Sequence, residues 1–271
     1  MTWRPLLLLL GAVGAMVPMI AAAQGDDPIR FCPNRPSLGA SGCTTLPGQV
    51  QIEMSSLDWE RGDDGETRTD TMLAGDIVAR FGVGPATELQ LGWTALGGVR
   101  MRDRTSGAVT RQNGVGDVTL GVRQALSGPD GKGLSSALQP YVTLPVGGGA
   151  IGAGDWSAGV VVPVAYAIDD TWSVDFTGQL AAQADQDRHG RHVDVSGVVG
   201  LGYALTGSLT AVAEFSVERD DDPAGVTTPM LGAASLAWQP GAHTQLDVLA
   251  VAGLNHDAPD LRLVLGGAVG F

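Results

Sequence analysis

The strongest constraint on the fold is an alternation of apolar and polar residues that recurs along most of the chain. Across residues 49–271, apolar or small side chains occupy every second position in successive segments, and Gly, Asp, Pro or Asn then interrupt the pattern. In one segment, Leu209, Ala211 and Ala213 alternate with other residues in this way. A period of two is typical of β-strands, and it gives each strand two chemically different faces.

The alternation predicts twelve strands. They cover residues 49–59, 69–82, 88–97, 116–126, 136–146, 156–168, 171–182, 192–205, 208–218, 229–239, 244–254 and 261–271. After residue 23, the sequence shows neither the pattern of a long amphipathic helix nor an apolar run of about 18 residues. A transmembrane helix is therefore not predicted, whereas a tilted strand of about ten residues is long enough to cross a membrane.

The connections between these strands alternate in length. Short connections occupy residues 83–87, 169–170 and 206–207, and longer polar ones occupy residues 60–68, 98–115, 183–191 and 219–228. Residues 127–135 are an exception. Outer-membrane barrels separate short periplasmic turns from long extracellular loops, whereas a soluble β-domain, the alternative, does not need to. The predicted fold class is all-β: an antiparallel transmembrane β-barrel of about 12 strands, of the Gram-negative outer-membrane type.

Aromatic residues lie near the ends of the predicted strands, as they do in the two interfacial belts of membrane proteins. One group, predicted at the periplasmic rim, is Phe81, Tyr166, Trp172, Tyr203, Trp238 and Phe271; the other is Trp59, Trp93 and Trp156. The last strand ends on Phe271. It resembles the C-terminal signal by which outer-membrane barrels are recognised for assembly.

Residues 1–23 have the composition of a signal peptide. Arg4 precedes an apolar stretch over residues 6–20, and alanines at 21–23 supply the small residues for cleavage. An uncleaved anchor is the alternative, although the stretch is short and interrupted by Gly and Pro. The predicted organisation is a signal peptide (1–23), an N-terminal segment (24–48) and an outer-membrane barrel (49–271).

The N-terminal segment, residues 24–48, is Pro-rich and lacks the strand pattern. It contains both cysteines of the chain, Cys32 and Cys43. In an oxidising compartment this pair most simply forms one local disulfide. A metal or redox pair is the alternative, but the spacing is not Cys-x-x-Cys and the nearest histidine in sequence is His189. The segment either enters the barrel as a plug or extends into the periplasm.

Several short motifs link the chain to a known family. They are Arg30-Phe31-Cys32-Pro33-Asn34-Arg35-Pro36-Ser37, Pro47-Gly48 followed by Glu53, Arg80-Phe81-Gly82 followed by Glu88-Leu89, Gly114-Val115-Gly116-Asp117, and Leu144-Pro145-Val146-Gly147. In this order they resemble the outer-membrane family described as MetA-pathway of phenol degradation, whose members are often called transporters. The resemblance spans most of the mature chain. It implies a barrel with an uptake role for hydrophobic or aromatic compounds and supplies no catalytic motif.

The polar strand face supplies the candidate functional residues, because lipid cannot receive ionised side chains. The candidates for lining the interior are Glu53, Asp76, Arg80, Asp117, Arg123, Asp175, Asp194, Glu214, Asp247 and Arg262. With Glu88 and Glu218, nine carboxylates face three arginines. An open lumen would therefore favour cations; alternatively, the arginines neutralise their neighbours and rigidify a plugged barrel.

The charge balance limits the partners. The chain has 16 Lys and Arg against 29 Asp and Glu, a formal net charge of −13, which argues against nucleic acid. The predicted partners are outer-membrane lipid, lipopolysaccharide, the barrel-assembly machinery and a small hydrophobic or aromatic solute. Acidic residues 220–222 either bridge divalent cations to lipopolysaccharide phosphates or are solvated charge.

Passive passage of small, hydrophobic or aromatic compounds is the predicted function, and a structural or biogenesis-related barrel without transport is the alternative. A hydrolase is the second alternative. It would depend on His189 and His192 in one predicted loop with Asp185, Asp187 and Asp194. No Gly-x-Ser-x-Gly, His-Glu-x-x-His or phosphate-binding glycine loop accompanies them. The sequence therefore predicts no catalytic residue, metal site or cofactor.

Overall fold

The computed structural model describes residues 29–271, so the predicted signal peptide lies outside the described residues. Thirteen β-strands form one antiparallel sheet. They are β1 (Val50–Asp63), β2 (Thr67–Gly84), β3 (Thr87–Asp103), β4 (Val109–Gly114), β5 (Val118–Ser127), β6 (Leu134–Leu144), β7 (Ser157–Ala167), β8 (Trp172–Ala184), β9 (Arg191–Thr206), β10 (Leu209–Asp220), β11 (Met230–Gly241), β12 (Thr244–Gly253) and β13 (Leu261–Gly270). No helix in the described part of the chain is long and apolar enough to span a membrane.

Twelve of the strands close into a ring, which confirms the predicted barrel. Each ring strand pairs with the next ring strand in sequence, and β13 returns to pair with β1. β3 pairs directly with β5, and β4 pairs only with β3. The additional strand, β4, extends the sheet only along the far half of β3, from Gly97 to Arg102. Closure leaves no unpaired edge within the ring, as a barrel in lipid requires.

The two ends of the barrel differ as the connection lengths predicted. At one end, the short-turn end, two residues link β2 to β3 and β9 to β10, and β1 begins beside the end of β13. The seam is fixed there because Val50 N donates to Phe271 O (3.2 Å) and Phe271 N donates to Val50 O (2.8 Å). The exception at this end is the connection of six residues from β5 to β6. At the opposite, long-loop end, twelve residues link β6 to β7 and nine link β10 to β11.

Two predicted loops are shorter than expected because strands continue into them. Residues 60–68 were predicted as a loop, but β1 and β2 leave only residues 64–66 between them. Residues 98–115 were also predicted as a loop, and they contain the end of β3 and all of β4. The period-two apolar pattern is absent there because these strands extend beyond the length of about ten residues that lipid requires. Their polar side chains therefore left no strand signature.

The side-chain distribution is the reverse of that in a soluble protein. Leu120 faces outward and is 44% exposed, whereas Arg80 and Arg123 are completely buried. Outward positions are dominated by Leu, Val and aromatic residues, and the fully buried side chains are largely polar. A lipid-facing exterior around a polar interior explains this pattern, so the alternative of a soluble β-domain is wrong.

Residues 29–47 precede β1 and contact its inward face. Cys32 and Cys43 form a disulfide with a Cα–Cα distance of 6.3 Å, which confirms the predicted pairing. A side chain at Gly82 would overlap the carbonyl oxygen of Leu46, so the glycine lets the two backbones approach. Further contacts of this stretch, termed the inner segment below, come from β2, β3, β5, β8, β10, β11 and β12.

Candidate functional site

Arg80 lies at the centre of a buried ion-pair network. Its Nε is 2.8 Å from Glu88 Oε1, and its Nη1 is 2.9 Å from Glu53 Oε1. The guanidinium also donates to the carbonyl oxygens of Cys32 (2.7 Å) and Cys43 (2.9 Å). One side chain of the barrel wall therefore bridges two carboxylates and holds both ends of the disulfide loop.

Arg123 makes a second link from the wall to the inner segment. Its guanidinium donates to Gln139 Oε1 (2.6 and 2.9 Å), to Asn34 Oδ1 (3.0 Å) and to the Cys43 carbonyl (3.3 Å). It also lies 3.7 Å from Glu88. Glu88 is itself bonded to the segment, since Thr45 N donates to Oε2 at 2.7 Å.

The inner segment brings its own cation to the wall at β1 and β12. Arg35 Nη2 is 2.9 Å from Asp247 Oδ1, and Arg35 Nη1 donates to Ser55 Oγ at 2.7 Å. Gln245 Nε2 in turn donates to the Arg35 carbonyl at 2.5 Å. The polar positions of β1 and β12 are thus satisfied from within the barrel.

Glu214 receives several donors from one turn of the segment. Ser37 Oγ donates at 2.6 Å and Leu38 N at 3.1 Å to each carboxylate oxygen. On β8, two strands away from Glu214, Thr177 Oγ1 accepts a hydrogen bond from Ala40 N at 2.9 Å. Charge-assisted bonds to backbone N–H groups are among the stronger hydrogen bonds, so this turn is held without a cation.

The ten interior candidates divide into two groups. Contact with the inner segment unites five of them: Glu53, Arg80, Arg123, Glu214 and Asp247. The other five have separate partners or positions. Asp76 accepts a hydrogen bond from Thr94, Asp117 accepts from the backbone of Gly147 and Ala153, and Arg262 binds Asp58. Asp175 lies beside β9, and Asp194 lies beside β8. The sequence prediction does not include Arg35 among the interior residues, although Arg35 belongs to the same family motif as Cys32.

A polar cavity of about 270 Å³ lies on the inner face of β2, β3, β5 and β6. Its inward-facing lining is Asp76, Gln90, Thr94, Asp117, Thr119, Gln139 and Tyr141. Gln139 also bonds Arg123, so the cavity adjoins the network that holds the inner segment.

An apolar patch occupies another part of the interior. Leu249, Val251 and Val264 are almost completely buried and pack together on β12 and β13. Leu38 of the inner segment packs against this cluster. The interior therefore offers polar and apolar surface side by side, which the sequence prediction of a polar lumen omitted.

The predicted loop constellation forms only in part. His192 Nδ1 is 2.9 Å from Asp185 Oδ1, but His189 and Asp187 do not join this cluster. The other neighbours of His192 are Asp220, the last residue of β10, and Asp222, in the loop that follows. Among the described residues, the ion-pair partners of His192 are thus three aspartates.

The fold and its interior define a class of protein, the outer-membrane β-barrels. Residues 33–262 match the family model described as "Putative MetA-pathway of phenol degradation", and the chain belongs to this family. The match begins next to Cys32 and ends on Arg262, so it includes most of the inner segment and the strands it contacts. No curated protein matches the chain.

Solved structures show the same architecture. An outer-membrane channel from Pseudomonas putida F1 is similar with a TM-score of 0.63 and 16% identity, over 82% of this chain and 94% of that one. The transport unit of the autotransporter AIDA-I from Escherichia coli is similar with a TM-score of 0.51 and 10% identity, over 82% of this chain and 89% of that one. At these identities, the likeness establishes the fold.

Proposed function

We propose that this protein mediates passive passage of small hydrophobic or aromatic compounds across the outer membrane. The observation that carries the proposal is an interior lined by both polar and apolar side chains and occupied by the chain's own inner segment. Membership of a family described by a phenol-degradation pathway supports an aromatic solute. The structural resemblance to an outer-membrane channel supports passage of such a solute through the barrel.

The alternative, a barrel with a purely structural role, accounts less well for the interior. Buried ion pairs contribute little net stability, because desolvation offsets their attraction, and apolar side chains of similar volume often stabilise as much or more. This interior nevertheless buries Arg80, Arg123, Glu53 and Glu88. A polar interior is useful where water or solute enters.

The inner segment is proposed to act as a plug that moves. Residues 29–47 are held by hydrogen bonds and ion pairs to eight strands, and Leu38 adds an apolar contact. Polar contacts can be exchanged for contacts with water, whereas a tightly packed apolar plug would lose its burial without compensation. Passage is therefore proposed to require displacement of part of the segment.

Export and assembly complete the proposal. Residues 1–23 are proposed to direct export and to be cleaved, residues 24–48 to form the plug, and residues 49–271 to span the outer membrane. Phe271, which closes the seam against Val50, is proposed to be read by the barrel-assembly machinery. The lipid-facing exterior and the external loops are proposed to contact outer-membrane lipid and lipopolysaccharide.

The decisive experiment measures 1-naphthol influx and ion conductance for protein reconstituted into membranes containing lipopolysaccharide. The wild type should admit the tracer, and deletion of residues 24–47 should raise both influx and conductance. Thr119→Trp should reduce influx because the added ring fills the interior cavity. Leu120→Trp, its outward-facing neighbour, is the matched control. If neither tracer nor ions cross, and the deletion does not unmask passage, the transport function is wrong and a structural role replaces it.

A further inference from the structure

Outside the interior network, one buried histidine is surrounded by carboxylates at the long-loop end. The His192 side chain is only 6% exposed. Its Nδ1 lies 2.9 Å from Asp185 Oδ1 and 3.5 Å from Asp222 Oδ2, and its Nε2 lies 2.8 Å from Asp220 Oδ1. Three separate stretches meet here: the β8–β9 loop, the start of β9, and the end of β10 with its following loop.

The charge of this cluster is not balanced by protein groups. Among residues 29–271, His192 is the only cationic side chain within 4.0 Å of Asp185, Asp220 or Asp222. Nearby arginines are engaged elsewhere: Arg191 binds Asp155 and Arg219 binds Asp221. Even a protonated His192 therefore leaves two net negative charges at the site.

The orientation of two side chains supports a missing ligand. His192 Nε2 is buried without a hydrogen-bond partner in suitable geometry, although Asp220 is near. Asp222 is held in place as an acceptor, because Ala224 N donates to its Oδ1 at 2.7 Å and Gln186 N donates to its Oδ2 at 2.8 Å. Asp222 is thus an oriented carboxylate that faces an imidazole nitrogen.

We propose that Asp185, His192 and Asp222 form a binding site for a divalent cation of the Zn²⁺ type. One oxygen or nitrogen from each residue lies within 4.8 Å of the others. Ligand atoms around tetrahedral Zn²⁺ at about 2.0–2.2 Å are about 3.4 Å apart, close to the 3.5 Å between Nδ1 and Asp222 Oδ2. Asp185 Oδ1 lies nearer, 2.9 Å from Nδ1, where a bound ion would replace the present hydrogen bond. An imidazole with two carboxylates suits a borderline ion such as Zn²⁺ better than Ca²⁺, which prefers six to eight oxygen ligands.

Asp220 completes the arrangement as a positioning residue. A histidine that ligates a metal through one nitrogen commonly presents its other N–H to a carboxylate, which fixes the ring orientation. Here Asp220 Oδ1 lies 2.8 Å from Nε2 without the geometry of a hydrogen bond, and this bond is proposed to form when an ion on Nδ1 orients the ring. A bound ion would connect the β8–β9 loop to the β10–β11 loop and so fasten part of the barrel mouth. The site stands independently of the proposed transport.

The test is a calorimetric titration of the folded, detergent-solubilised protein with Zn²⁺ and, separately, Ca²⁺. The wild type should bind one equivalent of Zn²⁺, while His192→Ala and Asp222→Asn abolish this binding and Asp220→Asn weakens it about tenfold. His189→Ala, in the same loop but outside the cluster, is the matched control. The heat-dependent shift of barrels on electrophoresis verifies that each variant is folded.

A second readout follows the loops directly. Zn²⁺ should slow amide hydrogen exchange by at least tenfold in residues 185–190 and 221–227 of the wild type but not of His192→Ala. Absence of saturable Zn²⁺ binding by the folded wild type would overturn the proposal. Retention of that binding in folded His192→Ala or Asp222→Asn would overturn it equally, as would tighter binding of Ca²⁺ than of Zn²⁺.

Discussion

Arg80 and Glu88 are joined by two hydrogen bonds inside the barrel, from Nε to Oε1 at 2.8 Å and from Nη2 to Oε2 at 3.1 Å. Neither residue has any solvent exposure. They lie on the adjacent strands β2 and β3, and both also bond the inner segment, Arg80 through the cysteine carbonyls and Glu88 through Thr45. This pair therefore links the barrel wall directly to the inner segment.

Arg80→Ala should destabilise the folded protein by about 3–5 kcal/mol, because the change leaves the carboxylates of Glu53 and Glu88 buried without their principal cation. Arg219→Ala removes an exposed ion pair with Asp221 and should cost no more than about 1 kcal/mol. Urea unfolding of both variants in the same detergent or lipid gives the comparison. Similar losses for the two variants would contradict the buried network.

Leu120→Arg should cost about 2–4 kcal/mol because the new charge would face lipid near the middle of the membrane. Thr119→Arg places the same charge toward the interior and should cost much less, since Thr119 lines the polar cavity. Folding titrations in lipid vesicles measure both values. Equal costs would show that the assignment of the two faces of β5 is wrong.

Replacement of both cysteines, Cys32→Ser with Cys43→Ser, should leave the barrel folded and loosen the inner segment. The carbonyls that bind Arg80 and Arg123 remain, but the unclosed loop loses stabilisation of about 2–4 kcal/mol. Hydrogen exchange in residues 29–47 should accelerate and conductance should rise. Peptide mapping without reductant should find one linked peptide in the wild type and none in the variant. Unchanged exchange would mean that the polar contacts alone fix the segment.

Cation selectivity should depend on the carboxylates that the inner segment leaves unpaired. Asp175→Asn with Asp194→Asn should lower the ratio of potassium to chloride permeability, while Asp64→Asn in the exposed β1–β2 turn should leave it unchanged. The difference should shrink at 1 M salt, where the Debye length is about 3 Å. Reversal potentials in planar bilayers measure the ratio. An unchanged permeability ratio in the double variant would show that ions do not pass close to these two residues.

The barrel wall could be predicted from sequence because lipid and interior impose opposite chemistry on alternate residues. All twelve ring strands follow that alternation, and the inward direction of Arg80 and Arg123 followed from parity alone. The alternation stops where strands leave the membrane. For this reason β4 and the outer parts of β1, β2 and β3 were predicted as loops.

The interior contacts could not be predicted in the same way, because they join residues distant in sequence through an irregular segment. No periodicity relates Arg35 to Asp247 or Leu38 to Val251, and the apolar interior patch resembles any other strand face in sequence. The histidine cluster shows the same limit. Asp185 and His192 are close in the chain, but Asp222 reaches them only because β9 and β10 are paired.

The Arg35–Asp247 contact joins residues that are 212 positions apart in the chain. The nearby β1–β13 seam joins the first and last strands of the barrel. Contacts of such separation carry a large loop-closure entropy and form late and slowly. Until they form, β1 and β13 each present an unpaired backbone edge, which is a template for association with other chains. The step at which β1 meets β13 is therefore the step before which this chain is most open to association with other chains.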